Sequence, residues 1–212
     1  MALGPTATPG AGARVRLLDA GVAVIRAKGL SATTVDDLCA TAGVTKGAFF
    51  HHFDSKEAYA VAAADHWSAT TSVLFAEAPY HDLADPVDRV LGYLDFRVSL
   101  IQGLSAAEYS CLVGTMTQEA FDSSPAVRDA CGASILGHAA TLEADITAAL
   151  ASAGAGPEPD AASLARYTQV VLQGAFVVSK AADDADVALD SIGHLRRYLE
   201  FVFRRDPATA TP

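Results

Sequence analysis

Hydrophobic residues recur every three or four positions along most of the chain, and glycine, proline or capping residues interrupt this pattern at intervals. The period is typical of amphipathic α-helices, and there is little sign of the alternation that marks strands. The sequence therefore predicts an all-α protein of about nine helices. The predicted helices cover residues 14–28, 35–42, 46–52, 56–78, 85–103, 105–118, 124–153, 160–182 and 186–205.

The second and third predicted helices are short, and a glycine separates them. Thr34 can cap the second helix while Asp37, three residues later, reaches back to the cap's own amide. Gly43 ends that helix, because glycine adopts the left-handed backbone conformation at low cost. Thr45 caps the next helix. Two helices joined by so short a glycine turn are typical of a DNA-reading helix-turn-helix.

The third predicted helix presents small and basic residues outward. Phe49 and Phe53 are four residues apart and should turn inward, which leaves Lys46 and its neighbours on the outer face. Small residues let a backbone approach the floor of a DNA groove, and Lys46 and Lys56 can pair with phosphates on either side of it. The alternative is an ordinary helical hairpin with solvated lysines.

The segment TTVDDLCATAGVTKGAFFHHFDSKEAY, residues 33–59, and the helix before it resemble the DNA-binding domain of the TetR family of transcriptional regulators. The family pattern is followed almost position by position without a gap. The resemblance implies that the first predicted helix is the scaffold of this DNA-binding domain. Gly29 ends that helix. The apolar stripe of that helix is Val15, Leu18, Val22 and Ile25.

The resemblance also implies a domain organisation and a function. A helix-turn-helix domain would span 14–55, and a ligand-binding and dimerisation domain would span 56–205. Residues 1–13 and 206–212 have the composition of a disordered arm and a disordered tail. Such a protein is expected to be a repressor that binds a palindromic operator in double-stranded DNA as a homodimer. A small-molecule inducer would release it.

The family's DNA contacts can be transferred residue by residue. Threonines at the starts of two helices would bind phosphates, the outer face of the third helix would meet base edges, and the residues after it would meet the backbone. Phe50 departs from the family, which usually has a tyrosine there, so a phosphate contact becomes an apolar one. The expected DNA-binding residues are Thr34, Thr45, Lys46, Gly47, Ala48, Phe50, His51, His52 and Lys56.

An inducer pocket is expected among the fourth to seventh predicted helices. The fifth is apolar nearly all round, as central helices are, and aromatic side chains with polar tips cluster near it. The alternative for each residue is plain packing. An inward acid such as Asp95 or Glu119 would favour a cationic ligand, but the sequence does not say which acids face inward. The residues expected to line the pocket are Trp67, Tyr93, Phe96, Tyr109 and Met116.

The eighth and ninth predicted helices, 160–182 and 186–205, resemble the family's dimerisation pair. Both carry apolar stripes, and each has further apolar residues off the main stripe, which favours a four-helix bundle with a partner chain. The alternative is that they only close the core of the monomer. The off-stripe residues are Val170, Phe176, Val177, Phe201 and Phe203.

Cys111 supports a second hypothesis, because EYSCLVGTMTQE resembles a segment in family branches whose cysteine responds to oxidants or electrophiles. The alternative is a small buried hydrophobe, since nothing nearby in the sequence supplies a cation that would lower the pKa of its thiol. Cys39 and Cys131 lie in apolar helical patterns and are expected in the core. Three scattered cysteines favour reduced thiols over a disulfide framework.

The net charge of −10 is unevenly distributed. Residues 1–60 contain six basic and five acidic residues, whereas the remainder contains nine against twenty. The acidic remainder should lie away from DNA, while the near-neutral residues 1–60 bind it. No signal peptide or stretch of the roughly 18 apolar residues needed to cross a membrane occurs, so we expect a cytoplasmic location without membrane contact.

Other function classes are less well supported by the sequence. There is no glycine-rich phosphate loop, paired-cysteine metal site or nucleophile elbow, so we expect no enzyme, no cofactor and no metal. A helical interaction protein that does not bind DNA is the remaining alternative. Phe50 and the acidic charge are the features that favour it.

Overall fold

The computed structural model describes residues 12–154 and 159–203. Within these ranges the protein is all-helical, as predicted, with eleven α-helices and one short 3-10 helix at Pro79–Asp82. The predicted tail and residues 1–11 of the predicted arm lie outside the described residues. The α-helices are α1 Ala13–Lys28, α2 Val35–Ala42, α3 Lys46–His52, α4 Lys56–Ala76, α5 Pro86–Ser99, α6 Ala106–Tyr109, α7 Leu112–Ala120, α8 Pro125–Ala140, α9 Glu143–Ser152, α10 Ala161–Ala182 and α11 Asp186–Val202.

Two of the predicted helices are each broken into two. The predicted helix 105–118 is interrupted because Ser110 and Cys111 have extended backbone, with ψ of 157° and 123°. The short helix before the break begins at a capping box, in which Glu108 accepts hydrogen bonds from the Ser105 amide and hydroxyl at 2.8 and 2.6 Å. The predicted helix 124–153 ends early at residue 140, where the Thr141 hydroxyl donates to the His138 carbonyl at 2.8 Å.

The chain divides into two compact units. Unit 1 comprises Met1–Leu74 and Leu104–Ile135, and unit 2 comprises Phe75–Gly103 and Leu136–Pro212. In unit 1, α1 packs against α2, α3, α6 and α7. In unit 2, α10 packs along α11, and α5 packs against α9 and α11. This division differs from the functional boundary expected at 55/56, which stays a prediction.

The core of unit 1 depends on a close approach between α1 and α4. Tyr59 is fully buried, and its hydroxyl donates to the Leu17 carbonyl at 2.7 Å. A Cβ atom at Gly21 would lie 1.8 Å from the Tyr59 hydroxyl, so this position has room for glycine alone. The expected stripe of α1 is wrong at Val15, which is 38% exposed, because the helix turns Leu17 into the core instead.

In the described ranges, none of the helices combines the length and the apolar character that a membrane span requires.

Candidate nucleic-acid interface and effector site

The turn between α2 and α3 is built by the caps that the sequence predicts. The Thr34 hydroxyl accepts from the Asp37 amide at 3.1 Å, and the Asp37 carboxylate accepts from the Thr34 amide at 2.8 Å. A hydrogen bond from Lys28, at 2.6 Å, and those from Thr34 hold the pKa of Asp37 well below its usual range. Gly43 ends α2 in the left-handed conformation with φ of 62°.

All nine residues expected to contact DNA lie at least partly at the surface of unit 1. Thr45 caps α3, its hydroxyl accepting from the Ala48 amide at 3.2 Å. Phe49 is fully buried against Phe53 and Tyr59, whose ring centroids lie 5.4 Å from its own, and this packing fixes which face of α3 points outward. The outer face is open, since a Cβ at Gly47 would meet nothing closer than 3.8 Å.

The two lysines of this surface already have partners in the free protein. Lys46 forms an exposed ion pair with Asp36 at 2.8 Å, and that carboxylate raises the pKa of Lys46. Lys56 donates to the Ser31 carbonyl at 3.2 Å. A phosphate would therefore have to compete with Asp36 for Lys46, whereas Lys56 keeps further N–H groups for a second acceptor.

The loop before α2 is held from α7, a contact that the sequence analysis missed. The Glu119 carboxylate accepts from the amides of Leu30 and Ser31 at 3.1 and 2.6 Å. Gly29 precedes them with φ of 87°, and a Cβ there would lie 2.3 Å from a carboxylate oxygen of Glu119. Glu119 thus stabilises the loop through two hydrogen bonds.

The residues expected to line the inducer pocket are divided between the units. Trp67, Tyr109 and Met116 are buried in unit 1. Tyr93 and Phe96 belong to unit 2, where the ring of Phe75 lies 5.7 and 5.4 Å from theirs. The two acids considered for a cationic ligand have other partners: Glu119 binds the loop described above, and Asp95 is exposed and pairs with Arg196 at 2.6 Å.

A polar network surrounds Tyr93 in unit 2. The Tyr93 oxygen accepts from Arg97 Nε at 2.9 Å and from Gln169 Nε2 at 3.0 Å. It also lies 3.0 Å from His138 Nε2, which is 2.9 Å from Arg97 Nη2. Burial and the neighbouring Arg97 lower the pKa of His138 to about 3, so its ring is neutral at pH 7. This network could not be predicted from the sequence, because its members are far apart in sequence and lie on three different helices.

Cys111 occupies the N-cap of α7, where its Sγ accepts from the Gly114 amide at 3.4 Å. A buried cation that is absent from the neighbouring sequence, Arg26, interacts with it within unit 1. Burial lowers the pKa of Arg26 to about 10, and electrostatic interactions with Cys111 and Glu108 oppose that shift. The Arg26 guanidinium also lies 5.4 Å from the Trp67 ring centre. Cys39 and Cys131 are buried, as predicted.

Exposed apolar residues form a surface on α10 and α11. Phe176 and Phe203, expected to be available for dimerisation, instead face the core of unit 2. Tyr198 was missed; its ring lies 5.4 Å from that of Tyr167, where one helix passes the other. The exposed residues, which we call the α10–α11 surface, are Tyr167, Val170, Val177, Val178, Tyr198 and Phe201.

No group of three or more His, Cys, Asp or Glu side chains that could hold a metal ion occurs among the residues that the structure describes.

Comparison with known families gives two matches. Residues 17–63 match the family described as bacterial regulatory proteins, tetR family. Residues 94–194 match the family described as transcriptional regulator LmrA/YxaF-like, C-terminal domain.

Curated relatives and a solved structure agree with these matches. The chain is 48% identical to the repressor KstR2 of Rhodococcus jostii (strain RHA1) over 46 residues, 22% of either chain. It is 28% identical to the repressor DhaR of Mycobacterium sp. (strain GP1) over 115 residues, covering 54% of this chain and 56% of DhaR. The matches thus span little more than half of these relatives' lengths at most. The regulatory protein TetR from Rhodobacter sphaeroides superposes with a TM-score of 0.78 at 22% identity, covering 88% of this chain and 98% of that one.

Proposed function

Because the chain belongs to the TetR family of bacterial transcriptional regulators, we propose that it is a ligand-responsive repressor that binds a palindromic operator as a dimer. A small-molecule inducer releases it. The observation that carries the proposal is the surface of α3, a capped helix whose aromatic core positions small and basic residues outward. Its relatives are regulators and not enzymes, and the names of two of them are those of repressors.

The proposed reading surface uses α3 in the major groove. Gly47 and Ala48 allow the backbone to approach the base pairs, and His51 reaches base edges. Thr34 and Thr45 offer helix N-termini to phosphates, and His52 and Lys56 contact the backbone. Phe50 is 52% exposed and supplies an apolar contact, for example with a thymine methyl group.

The proposed dimer forms through the α10–α11 surface. Six large apolar side chains exposed on two adjacent helices make a patch that soluble monomers rarely leave uncovered. Gly174 lies among the α10 residues of this surface. No atom lies within 4 Å of its Cβ position, so a partner helix can approach closely. To read a palindrome, such a dimer would present two copies of α3 to major grooves about 34 to 36 Å apart, one turn of DNA.

The proposed coupling runs through α4 and α7. Tyr59 and His66 of α4 bind α1, the latter through a hydrogen bond between His66 Nε2 and Asp19 Oδ1 at 2.7 Å, so α4 and α1 move together. Glu119 of α7 binds the loop before α2. An effector that binds one arrangement of these helices more tightly than the other would change the separation of the two α3 helices and thus the affinity for the operator.

The test is selection of bound fragments from the source genome by purified protein at low and moderate salt. We expect one palindromic site, lost on Lys46→Ala or His51→Ala and retained on Arg128→Ala. Arg128 is an exposed arginine of the same unit, bound to Asp129 at 2.8 Å, and controls for the loss of a positive charge. Recovery of no site by a folded dimer would instead support an interaction protein without DNA binding.

A second candidate function is a redox-responsive regulator of the same fold, favoured by the position of Cys111. Its Sγ accepts from the Gly114 amide at the start of α7, and Arg26 interacts electrostatically with Cys111. With hydrogen peroxide, the thiolate sulfur would form an S–O bond as the O–O bond breaks, and the hydroxide released would take a proton and leave as water. The product is a sulfenic acid.

Operator release by hydrogen peroxide tests the second candidate. We expect wild-type protein to lose the operator and Cys111→Ser to keep it. Cys131→Ser is the matched control, because burial raises the pKa of Cys131 to about 11 and keeps its thiol unreactive. Release that persists in Cys111→Ser would exclude this candidate and leave the first untouched.

A further inference from the structure

Arg97 projects its guanidinium among aromatic rings within unit 2. The guanidinium carbon lies 4.3 Å from the centre of the Phe75 ring and 5.2 Å from that of Tyr93. Both rings are buried, whereas Arg97 and His138 are half-buried, so the charged edge of the cluster is reachable from outside. Aromatic faces stabilise a cation but do not neutralise it.

Among the residues that the structure describes, Arg97 has no counter-ion. Two other arginines of the unit are paired with acids, Arg89 with Asp145 at 2.7 Å and Arg196 with Asp95 at 2.6 Å. In the described part of the chain, no carboxylate lies within 4.0 Å of Arg97. His138 is neutral at pH 7 and adds no negative charge. The cluster therefore carries a net positive charge in a poorly solvated place, which favours an anion.

The cluster also has more hydrogen-bond donors than acceptors. The Tyr93 oxygen accepts from Arg97 and Gln169, so its own O–H points to His138 Nε2. The single lone pair of that nitrogen already faces Arg97 Nη2. Arg97 Nη1 has no hydrogen-bond partner among the residues described. The outer end of the guanidinium fork is thus available to an acceptor.

We infer that this cluster binds the anionic group of the effector, and that the effector is an organic monoanion with an aromatic or similarly flat apolar body, such as an aromatic carboxylate. A carboxylate presents two oxygens that match two N–H groups of a guanidinium fork. One guanidinium balances one negative charge, which favours a carboxylate over a phosphate dianion. The residues of the site are Phe75, Tyr93, Phe96, Arg97, His138 and Gln169.

The effector role rests on the proposed function, but binding itself does not, so the two can be tested separately. The probes are 2-naphthoate and 2-naphthamide, which share a ring system and differ in charge. Calorimetry on the protein alone should show naphthoate binding about ten- to a hundred-fold more tightly than naphthamide. Arg97→Gln should abolish this preference, and Arg97→Lys should retain part of it because the charge remains. Arg128→Gln should leave it unchanged.

The controls separate folding from recognition. Thermal unfolding without ligand shows whether each variant is folded, and if Arg97→Gln is not, the wild-type preference and its partial retention in Arg97→Lys decide the matter. Equal affinity for the two probes, including failure of both to bind, would overturn the inference. An Arg97-dependent preference in a protein that binds no DNA would support the site while the proposed function fails. Operator binding without any preference for naphthoate over naphthamide would support the proposed function while the inferred anion site fails.

Discussion

Glu119 accepts a hydrogen bond of 2.6 Å from the backbone amide of Ser31, 88 residues away in sequence. Its other oxygen accepts from Leu30, so a single carboxylate on α7 holds the loop from which α2 begins. Lys56, at the start of α4, donates to the carbonyl of the same Ser31. The loop is therefore where α4 and α7 both act on the helix-turn-helix.

Glu119→Gln should loosen this loop. Glutamine has one acceptor oxygen where the loop presents two amides, so one amide loses its partner, at a cost of about 1 kcal/mol. Hydrogen exchange at Leu30 and Ser31 should become about five- to ten-fold faster. Glu143→Gln, on α9, is the control and should leave these rates unchanged. Unchanged exchange rates in Glu119→Gln would mean that the hydrogen bonds of Glu119 do not stabilise the loop.

Gly47→Ala should separate the stability of the protein from its affinity for DNA. No atom of unit 1 obstructs a Cβ there, and alanine favours helices by up to about 1 kcal/mol, so thermal stability should hold or rise. Operator affinity should fall, because the added methyl group keeps α3 from the groove. Gly132→Ala, also on a helix with open space at its Cβ position, should gain stability and keep its affinity. Equal affinities for both variants would argue against close approach at Gly47.

Gly21→Ala should destabilise unit 1 by about 1–3 kcal/mol, because the new methyl group collides with Tyr59. In Tyr59→Phe the hydrogen bond to Leu17 is lost, but so is the atom that collides most closely. The double variant should therefore be more stable than the sum of the two single effects predicts, as measured by chemical denaturation. Simple additivity would show that the collision is relieved in some other way.

Local features of this fold could be predicted from sequence, whereas distant pairings could not. The caps at Thr34 and Thr45 and the stop at Gly43 depend on residues within four positions of one another, and the structure has them as predicted. The breaks near Cys111 and Thr141 were missed, because no glycine or proline lies directly before the extended or turned backbone in either place. Apolar spacing alone predicts a continuous helix in both places.

The candidate sites show the same division. The outward face of α3 follows from the spacing of Phe49 and Phe53, so its members could be named in advance. Arg97 was not considered, because its environment is set by Phe75, His138 and Gln169, which lie 22, 41 and 72 positions away by residue number. Asp95 was considered as an inward acid, and the structure instead exposes it beside Arg196.

Phe201→Ser should convert the proposed dimer to monomers or weaken it strongly. Phe201 is 80% exposed in the isolated chain, so its loss should cost the monomer little, whereas a buried aromatic at an interface contributes about 2 kcal/mol or more. Analytical ultracentrifugation over a range of concentrations would measure the change. Phe121→Ser is the matched control, since Phe121 is 66% exposed in unit 1 and lies outside the α10–α11 surface. A dimer that tolerates Phe201→Ser would place the interface elsewhere.

His138 should make unit 2 less stable in acid. Its pKa is lowered to about 3 in the folded protein from an ordinary value of 6.5, so the unfolded chain takes up the proton first as the pH falls. Stability is thus complete above pH 6.5 and declines between 6.5 and about 3, by up to about 1.4 kcal/mol per pH unit from this residue. His138→Gln should lose that part of the slope in denaturation curves measured from pH 7 to pH 5. His194→Gln, at an exposed position on α11, should keep it. If both variants keep the wild-type slope, protonation of His138 does not contribute to the loss of stability in acid. The neutral ring of His138 would then not be needed to tolerate the positive charge of Arg97.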